Sequence, residues 1–354
     1  MKAENPLVTI ILPVRNEAKY ITVCLESVFR QDYPHDHMEI IIADGLSTDS
    51  TREAVAEFSH RGIPLYWIAN PDKIVPTGLN HAIRLAKGEI IIRIDGHTII
   101  TPDYVTQCVS VLDYSNADNV GGCMNAKGPS YFGNATAIAT STPFGVGGSR
   151  FHYSEKEEWV DSVYLGAWPR RIFEEIGLFD EELVRDQDDE FNYRLRELGG
   201  KILLSPKIKS VYMVRSSPKA LWNQYYQYGY WKVRVLQKHP YQMSLRQFVP
   251  PAFVLALLVA LLFTAIIPWG WVIFLMVLGC YLIANLAASF FTSAKEGWQH
   301  LPLLPLVFAI LHLSYGLGFL VGLFKFWNRW SDKKGKVPDF ISDFSISPGP
   351  DSAL

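Results

Sequence analysis

Apolar residues form short runs in the first part of the chain and long ones near its end. Residues 7–14, 38–43, 65–69 and 89–94 are short apolar runs, each closed by polar or turn-forming residues. That is the pattern of strands buried on both faces. Between them, residues 18–31 place Ile21, Leu25, Val28 and Phe29 on one helical face. Ser47-Thr48-Asp49-Ser50 is a helix-start signal for residues 51–59, and 77–86 reads as a further helix. Strands alternating with helices predict an α/β fold with a doubly wound, mostly parallel sheet. Past residue 95 the alternation loosens. A helix closes at 173–177, another covers 190–198 before Gly199-Gly200, and 201–205 reads as a strand. Residues 131–149, rich in Gly, Ala, Ser and Thr, read as a substrate-lining loop or a flexible connector. Gly145-Val146-Gly147-Gly148 does not follow a strand, which argues against a dinucleotide fingerprint.

The tail differs in kind. Residues 249–294 and 301–324 contain no Asp, Glu, Lys or Arg. A bilayer span needs about 20 apolar residues, so 249–269, 270–291 and 301–326 are three candidate spans. Trp269, Trp271, Trp298, Trp327 and Trp330 lie near their ends, as an interfacial aromatic belt would. Lys232, Arg234, Lys238 and Arg246 put the first end in the cytoplasm, yet three full spans would put Lys325, Arg329, Lys333, Lys334 and Lys336 outside. Either the charge rule fails here, or the third segment, interrupted by Pro305, Gly316 and Gly318, is re-entrant. Residues 222–237 interleave Tyr225, Tyr226, Tyr228, Tyr230 and Trp231 with Lys232 and Arg234. They suit a helix lying in the headgroup layer or an ordinary aromatic packing helix.

Composition sharpens this picture. Of 354 residues, 49% are hydrophobic and 19% charged, an apolar balance whose excess sits in the tail. A net charge of −2 offers no general basic field, so no nucleic-acid partner is expected. Cys24, Cys108, Cys123 and Cys280 show no paired spacing, which fits a reducing compartment. The first residues lead into a strand and not a signal-peptide core, so the N-terminal part is expected to stay in the cytoplasm. The expected organisation is a catalytic domain over 1–217, amphipathic interfacial helices over 218–248, a membrane region over 249–330 and a disordered tail over 331–354.

The chemistry centres on Asp95-Gly96-His97, which follows the fourth strand. The carboxyl ends of strands in open α/β sheets are where ligands bind. A bend at Gly96 lets the carboxylate and the imidazole reach one point, a pair suited to Mn²⁺ or a similar ion. A turn with a solvated His97 is the plainer alternative. Asp44 ends the second strand and can accept from a base N–H or from ribose hydroxyls. Pro13 and Glu17 end the first strand beside it, although Glu17 also suits the first turn of a helix. Lys73 lies on a loop, as a phosphate contact or as a solvated lysine.

Several segments read together carry a family resemblance. Residues 8–17 (VTIILPVRNE) resemble the opening strand of family 2 glycosyltransferases, and 44–51 (DGLSTDST) their second-strand motif. Asp95-Gly96-His97 falls where that family has its Asp-x-Asp metal motif. Residues 186–194 (DQDDEFNYR) resemble the segment holding its catalytic base, and Gln227-Tyr228-Gly229-Tyr230-Trp231 is similar to its Gln-x-x-Arg-Trp motif. Among subfamilies the chain looks most like the succinoglycan-type exopolysaccharide glucosyltransferases. Three departures stand out: His97 for the second Asp, Gln187 for the Glu before the base, and Tyr230 for Arg.

The resemblance implies a GT-A type mixed sheet followed by transmembrane helices, and an inverting hexosyltransferase. Pro13, Glu17, Asp44, Asp95 and Lys73 would bind the nucleotide-sugar, best taken as UDP-glucose. Asp95 and His97 would hold Mn²⁺ or Mg²⁺. Asp188 would be the general base, with Asp189 a neighbour that the sequence alone does not exclude; Asp186, Asp189 and Glu190 crowd it. Gln187, Gln227, Tyr230 and Trp231 would face the acceptor, a polyprenyl-diphosphate-linked saccharide. The implied place is the cytoplasmic membrane, multi-pass, with the catalytic domain on the cytoplasmic face and a polysaccharide assembly complex as a candidate partner. Alternatives are a polyprenyl-phosphate sugar synthase and an inactive sugar-nucleotide-binding scaffold.

Overall fold

The computed structural model describes residues 5–340. In chain order the strands are β1 (Val8–Val14), β2 (Met38–Asp44), β3 (Leu65–Ala69), β4 (Ile90–Arg93), β5 (Thr98–Ile100), β6 (Asn119–Lys127), β7 (Glu158–Trp159), β8 (Tyr164–Pro169) and β9 (Ile202–Met213). The helices are α1 (Ile21–Phe29), α2 (Thr51–Ala56), α3 (Val75–Leu85), α4 (Tyr104–Ser115), α5 (Tyr131–Thr140), α6 (Pro143–Val146), α7 (Arg171–Ile176), α8 (Gln187–Glu197), α9 (Pro218–Lys238), α10 (Val249–Ile266), α11 (Gly270–Glu296) and α12 (Leu304–Lys325). Over the described residues they sort into two compact units: one of residues 5–125, 154–212 and 334–340, the other of 126–153 and 213–333.

The first unit is a nine-stranded sheet with the path β3-β2-β1-β4-β8-β6-β9-β5, to which β7 adds beside β9. β1 runs parallel to β2 and β4, and β2 runs parallel to β3, while β8 is antiparallel to β4. This is the expected GT-A type mixed sheet. Alternate residues along the strands serve opposite faces. Val8, Ile10, Leu12, Ile40, Ile42, Ile90 and Ile92 share one cluster with Ile21, Cys24, Leu25 and Val28 of α1. Ile11, Ile41 and Ile91 alternate with them and are equally buried, and α3 packs on β1 and β2. Each such side chain contributes about 1.5–3 kcal/mol of transfer free energy.

The second unit gathers the apolar helices. Among the described residues, three stretches are long and apolar enough to cross a membrane: Leu245–Ile266, Gly270–Glu296 and Leu304–Lys325. The third is one unbroken helix. Pro305 sits in its first turn, where no hydrogen bond is lost, and Gly316 and Gly318 are contacts, not breaks. A Cβ on Gly316 would lie 2.6 Å from the Pro250 carbonyl oxygen, and one on Gly318 2.1 Å from that of Tyr226. Small residues that let helix backbones meet are how apolar helices associate without a hydrophobic driving force.

Three expectations are corrected. Residues 126–153 were expected inside the catalytic domain but group with the second unit. The reason is α5, whose Ala135 and Ala139 are fully buried with Leu304, Val307, Phe308 and Leu311. Within the expected interfacial stretch 218–248, α9 packs on α12, and Lys232, Arg234 and Lys238 are buried rather than turned to headgroups. Arg234 donates to Gln237, to the Arg329 carbonyl (3.3 Å) and to Asp332 (3.4 Å). The expected disordered tail is ordered in part: the Leu178 and Glu181 amides donate to the Pro338 and Lys336 carbonyls, each at 3.0 Å. The Lys336 amide donates to Asp180 Oδ1 at 2.9 Å. Residues 341–354 lie outside the described part.

Candidate active site

The candidate site is built at the carboxyl ends of β1, β2 and β4, in the first unit. Register places Pro13 opposite Ala43 and Val14 opposite Asp44. The loops after β1 and β2 are sewn together. The Asn16 amide donates to Ser47 Oγ (2.9 Å), and its side chain accepts from the Thr48 amide (2.8 Å). The Glu17 amide donates to Thr51 Oγ1 (2.9 Å), and that of Ala18 to Asp49 (3.2 Å). Asp44 is buried, and Ser47 donates to it from both its amide and its hydroxyl. A carboxylate has about four lone-pair sites, so this orients Asp44 and leaves acceptor capacity. Lys73, on the β3–α3 loop, is exposed with a left-handed backbone (φ 62°) and is not drawn into the cluster below.

Gly96 matters for closeness. A Cβ there would meet Val14 Cγ1 at 3.1 Å and Glu17 Cγ at 3.2 Å. That approach brings His97 Nδ1 to 3.0 Å from Glu17 Oε1. With Glu17 as acceptor the His97 Nδ1 carries the proton, which leaves Nε2 as the atom available to a ligand, the arrangement found where a histidine binds metal. Glu17 is thus placed against His97. The His97 ring also lies 5.4 Å from that of Tyr212, which packs edge-on against Tyr164.

Asp95 is held by Arg93. Its Oδ1 accepts from Nε at 2.9 Å and its Oδ2 from Nη2 at 3.3 Å. Burial works against the Asp95 charge, but the Arg93 guanidinium and His97 outweigh it and hold the carboxyl below its ordinary range. A carboxyl depressed in the folded state stabilises at neutral pH, and this contribution is lost as pH falls through the folded pKa. The stability gap between the parent and Asp95→Asn is therefore expected to narrow on acidification, read from denaturation midpoints over a pH series. A gap that widened toward acid pH would contradict the pairing.

Arg93 reaches further. Its Nη1 lies 3.8 Å from Asp188 Oδ2. Asp188 stands in the first turn of α8, whose cap Asp186 is left-handed (φ 60°). A hydrogen-bonded chain fastens α8: Asn119 donates to Asn192 (2.8 Å), Asn192 to Ser162 (3.1 Å), and Ser162 to Asp189 (3.0 Å). Arg194 holds Glu190 through Nε and Nη2, both at 3.0 Å. The acidic crowding is thus resolved by partners: Asp189 and Glu190 are engaged in the fold, and Asp188 faces the guanidinium. Gln187 is buried beside it. Gln227, Tyr230 and Trp231 belong to the second unit, on α9; Trp231 Nε1 donates to Gln227 at 3.2 Å, and Tyr230 packs on Phe326.

The donor set fits a divalent cation that arrives with a diphosphate. Among the described residues no three His, Cys, Asp or Glu groups form a cage. Mg²⁺ and similar ions, however, are commonly held by one or two protein ligands plus substrate phosphates. Asp95 and the Nε2 of His97 match that need. Arg93, Tyr164 and Tyr212 were not singled out from the sequence. The signal for Arg93 was available: a charge inside the run 90–94 must find a partner.

A family profile described as "Glycosyl transferase family 2" matches residues 9–177. The chain is 30% identical over 322 residues to "Succinoglycan biosynthesis protein ExoA" of Rhizobium meliloti (strain 1021), covering 90% of this chain and 96% of that one. It is 30% identical over 328 residues to the "Dolichyl N-acetyl-alpha-D-glucosaminyl phosphate 3-beta-D-2,3-diacetamido-2,3-dideoxy-beta-D-glucuronosyltransferase" of Methanococcus voltae, covering 90% and 97%. Among solved structures, the mannosyltransferase PcManGT from Pyrobaculum calidifontis, in complex with GDP-Man and Mn²⁺, superposes with a TM-score of 0.60 at 20% identity, over 91% of this chain and 88% of that one.

Proposed function

This chain belongs to glycosyl transferase family 2, and from that premise we propose that it is a membrane-anchored inverting hexosyltransferase acting on a lipid-linked saccharide. The donor we infer is a nucleotide-sugar, with UDP-glucose as the best candidate, and the acceptor a polyprenyl-diphosphate-linked saccharide in exopolysaccharide or envelope glycan synthesis. One observation carries the reading. Arg93 brings Asp95, two residues past β4, and Asp188, in the first turn of α8, to a single guanidinium. A group on the leaving-group side and a group able to take a proton thereby meet in one place.

The residues divide the work. Asp44 accepts from the base or ribose, and Pro13 shapes the same crevice. Asp95 and His97 are the ligands for Mn²⁺ or Mg²⁺, and Glu17 orients the imidazole. When bound, the cation supplies neutralisation of the departing diphosphate. Asp188 takes the proton of the acceptor hydroxyl as its oxygen attacks the anomeric carbon, a role worth 10²–10⁴-fold in typical general-base catalysis. Direct attack inverts the configuration and needs no covalent intermediate. Three apolar helices support anchoring in the cytoplasmic membrane. The names of the two relatives above, one for succinoglycan biosynthesis and one for a dolichyl-linked acceptor, support a lipid-linked glycan as acceptor.

The test is turnover by detergent-purified protein across a panel of nucleotide-sugars, with and without Mn²⁺ and a polyprenyl-diphosphate saccharide. Metal-dependent release of one nucleotide, raised by the lipid acceptor, is the expected result. Absence of both turnover and nucleotide binding would sink the reading. His97→Ala is expected to shift the Mn²⁺ titration of turnover by about tenfold, the scale on which site ligands and their supports act. An unchanged titration would remove His97 from the metal site.

A further inference from the structure

Arg93 is a costly residue where it stands. Its side chain is 8% exposed within a strand of isoleucines. A cation taken out of water there must be compensated by nearby charge, and both compensating groups are the carboxylates of the proposed chemistry. Nε and Nη2 are spent on Asp95. Nη1 is buried and makes no hydrogen bond among the described residues. It points toward Asp188 but stops at 3.8 Å, outside hydrogen-bond length. The guanidinium is saturated on one side and poised on the other.

That geometry has a consequence for the cation. Each oxygen of Asp95 already accepts from Arg93, so a divalent ion on Asp95 would share the carboxylate with a guanidinium bonded to it. We propose that Arg93 is a positioning residue that stands in for the metal in the donor-free enzyme, where its charge would oppose a cation on Asp95, and that it keeps Asp188 in place. This rests on the reading of Asp95 and Asp188 given above. It makes free metal a weak ligand and the metal–nucleotide complex a strong one, since the phosphates supply the remaining coordination. A lysine cannot replace it fully, because one ammonium cannot span two carboxylates as a planar fork does.

The experiment measures Mn²⁺ binding to the full-length protein in detergent by electron paramagnetic resonance, with and without UDP, for the parent, Arg93→Met and Arg93→Lys. Removing a buried charge beside the ligand strengthens cation binding. Arg93→Met is therefore expected to bind Mn²⁺ without UDP on the order of tenfold more tightly than the parent. Its kcat at saturating metal and donor is expected to fall at least about tenfold as Asp188 loses its support, with KM for the donor little changed. Arg93→Lys should fall between the two on both measures. If Arg93→Met does not fold, Arg93→Lys decides: tighter Mn²⁺ binding without UDP supports the proposal and unchanged binding overturns it. Folded Arg93→Met with Mn²⁺ affinity no higher than the parent's also overturns it, while UDP-dependent Mn²⁺ binding by the parent leaves the site reading standing. A parent that binds Mn²⁺ neither alone nor with UDP overturns both.

Discussion

Asp188→Asn is expected to lower kcat for sugar transfer about a thousandfold, within the range for loss of a general base, while nucleotide binding stays within about twofold. The amide keeps the shape of the side chain and cannot take a proton. The fold has little reason to change: α8 is fastened through Asn192, Ser162 and Asp189, and Glu190 through Arg194, none of which needs Asp188 ionised. The companion measurement is Asp189→Asn, which disturbs the Ser162 bond and should cost stability more than turnover. If Asp189→Asn abolished transfer and Asp188→Asn did not, the base assignment would move by one residue. Loss of both nucleotide binding and transfer in Asp188→Asn would point to a structural role instead.

Gly229→Leu is expected to prevent the second unit from assembling. A Cβ alone at that position would fall 2.0 Å from the Tyr315 carbonyl oxygen. The partner is helical backbone, which cannot swing away as a side chain can. The contact is repeated from the other helix, where Gly322 would place a Cβ 2.6 Å from the Tyr230 oxygen. Overpacking a core costs about 1–3 kcal/mol when side chains can adjust, and here they cannot. Monodisperse protein in detergent size-exclusion chromatography should be lost, and protease cleavage near α9 gained. Gly279→Ala is the control: a Cβ there meets nothing within 4 Å, so it should be neutral or slightly stabilising by helix propensity. A Gly229→Leu protein as stable as the control would refute the close crossing of α9 and α12.

The legible and illegible parts of this chain divide by where their partners lie. β1 to β4 could be read because each is a short apolar run closed by a turn residue, a local signal. The candidate triplet Asp95-Gly96-His97 after β4 was legible for the same reason. β5 to β8 and α4 escaped because their burial comes from strands distant in sequence. α5 escaped because its face is made of alanines, threonines and a glycine, which look like a loop until the bulky partners on α12 are seen. Gly316 and Gly318 read as interruptions because a glycine taken alone weakens a helix, whereas here the missing side chain is what allows the crossing. Arg234 read as a headgroup contact because its partner Asp332 comes almost a hundred residues later. At the candidate site, Asp95 and Asp188 were each legible and their clamp was not: Arg93 acquires meaning only when α8 delivers Asp188.

The return of residues 336–338 to Leu178, Asp180 and Glu181 bears on how the protein is made. The ribosome emits the sheet first and the apolar helices next, and only afterwards the segment that supplies these last hydrogen bonds. Asp180, fully buried, accepts locally from the Glu182 amide and gains the Lys336 amide only after the apolar helices have been made. Domains commonly fold as they emerge, but the first unit gains these hydrogen bonds only after residues 249–325 have been synthesised. Completion of the first unit is thereby tied to synthesis of the apolar helices, so a nascent chain stalled within them lacks the segment that closes on Leu178, Asp180 and Glu181.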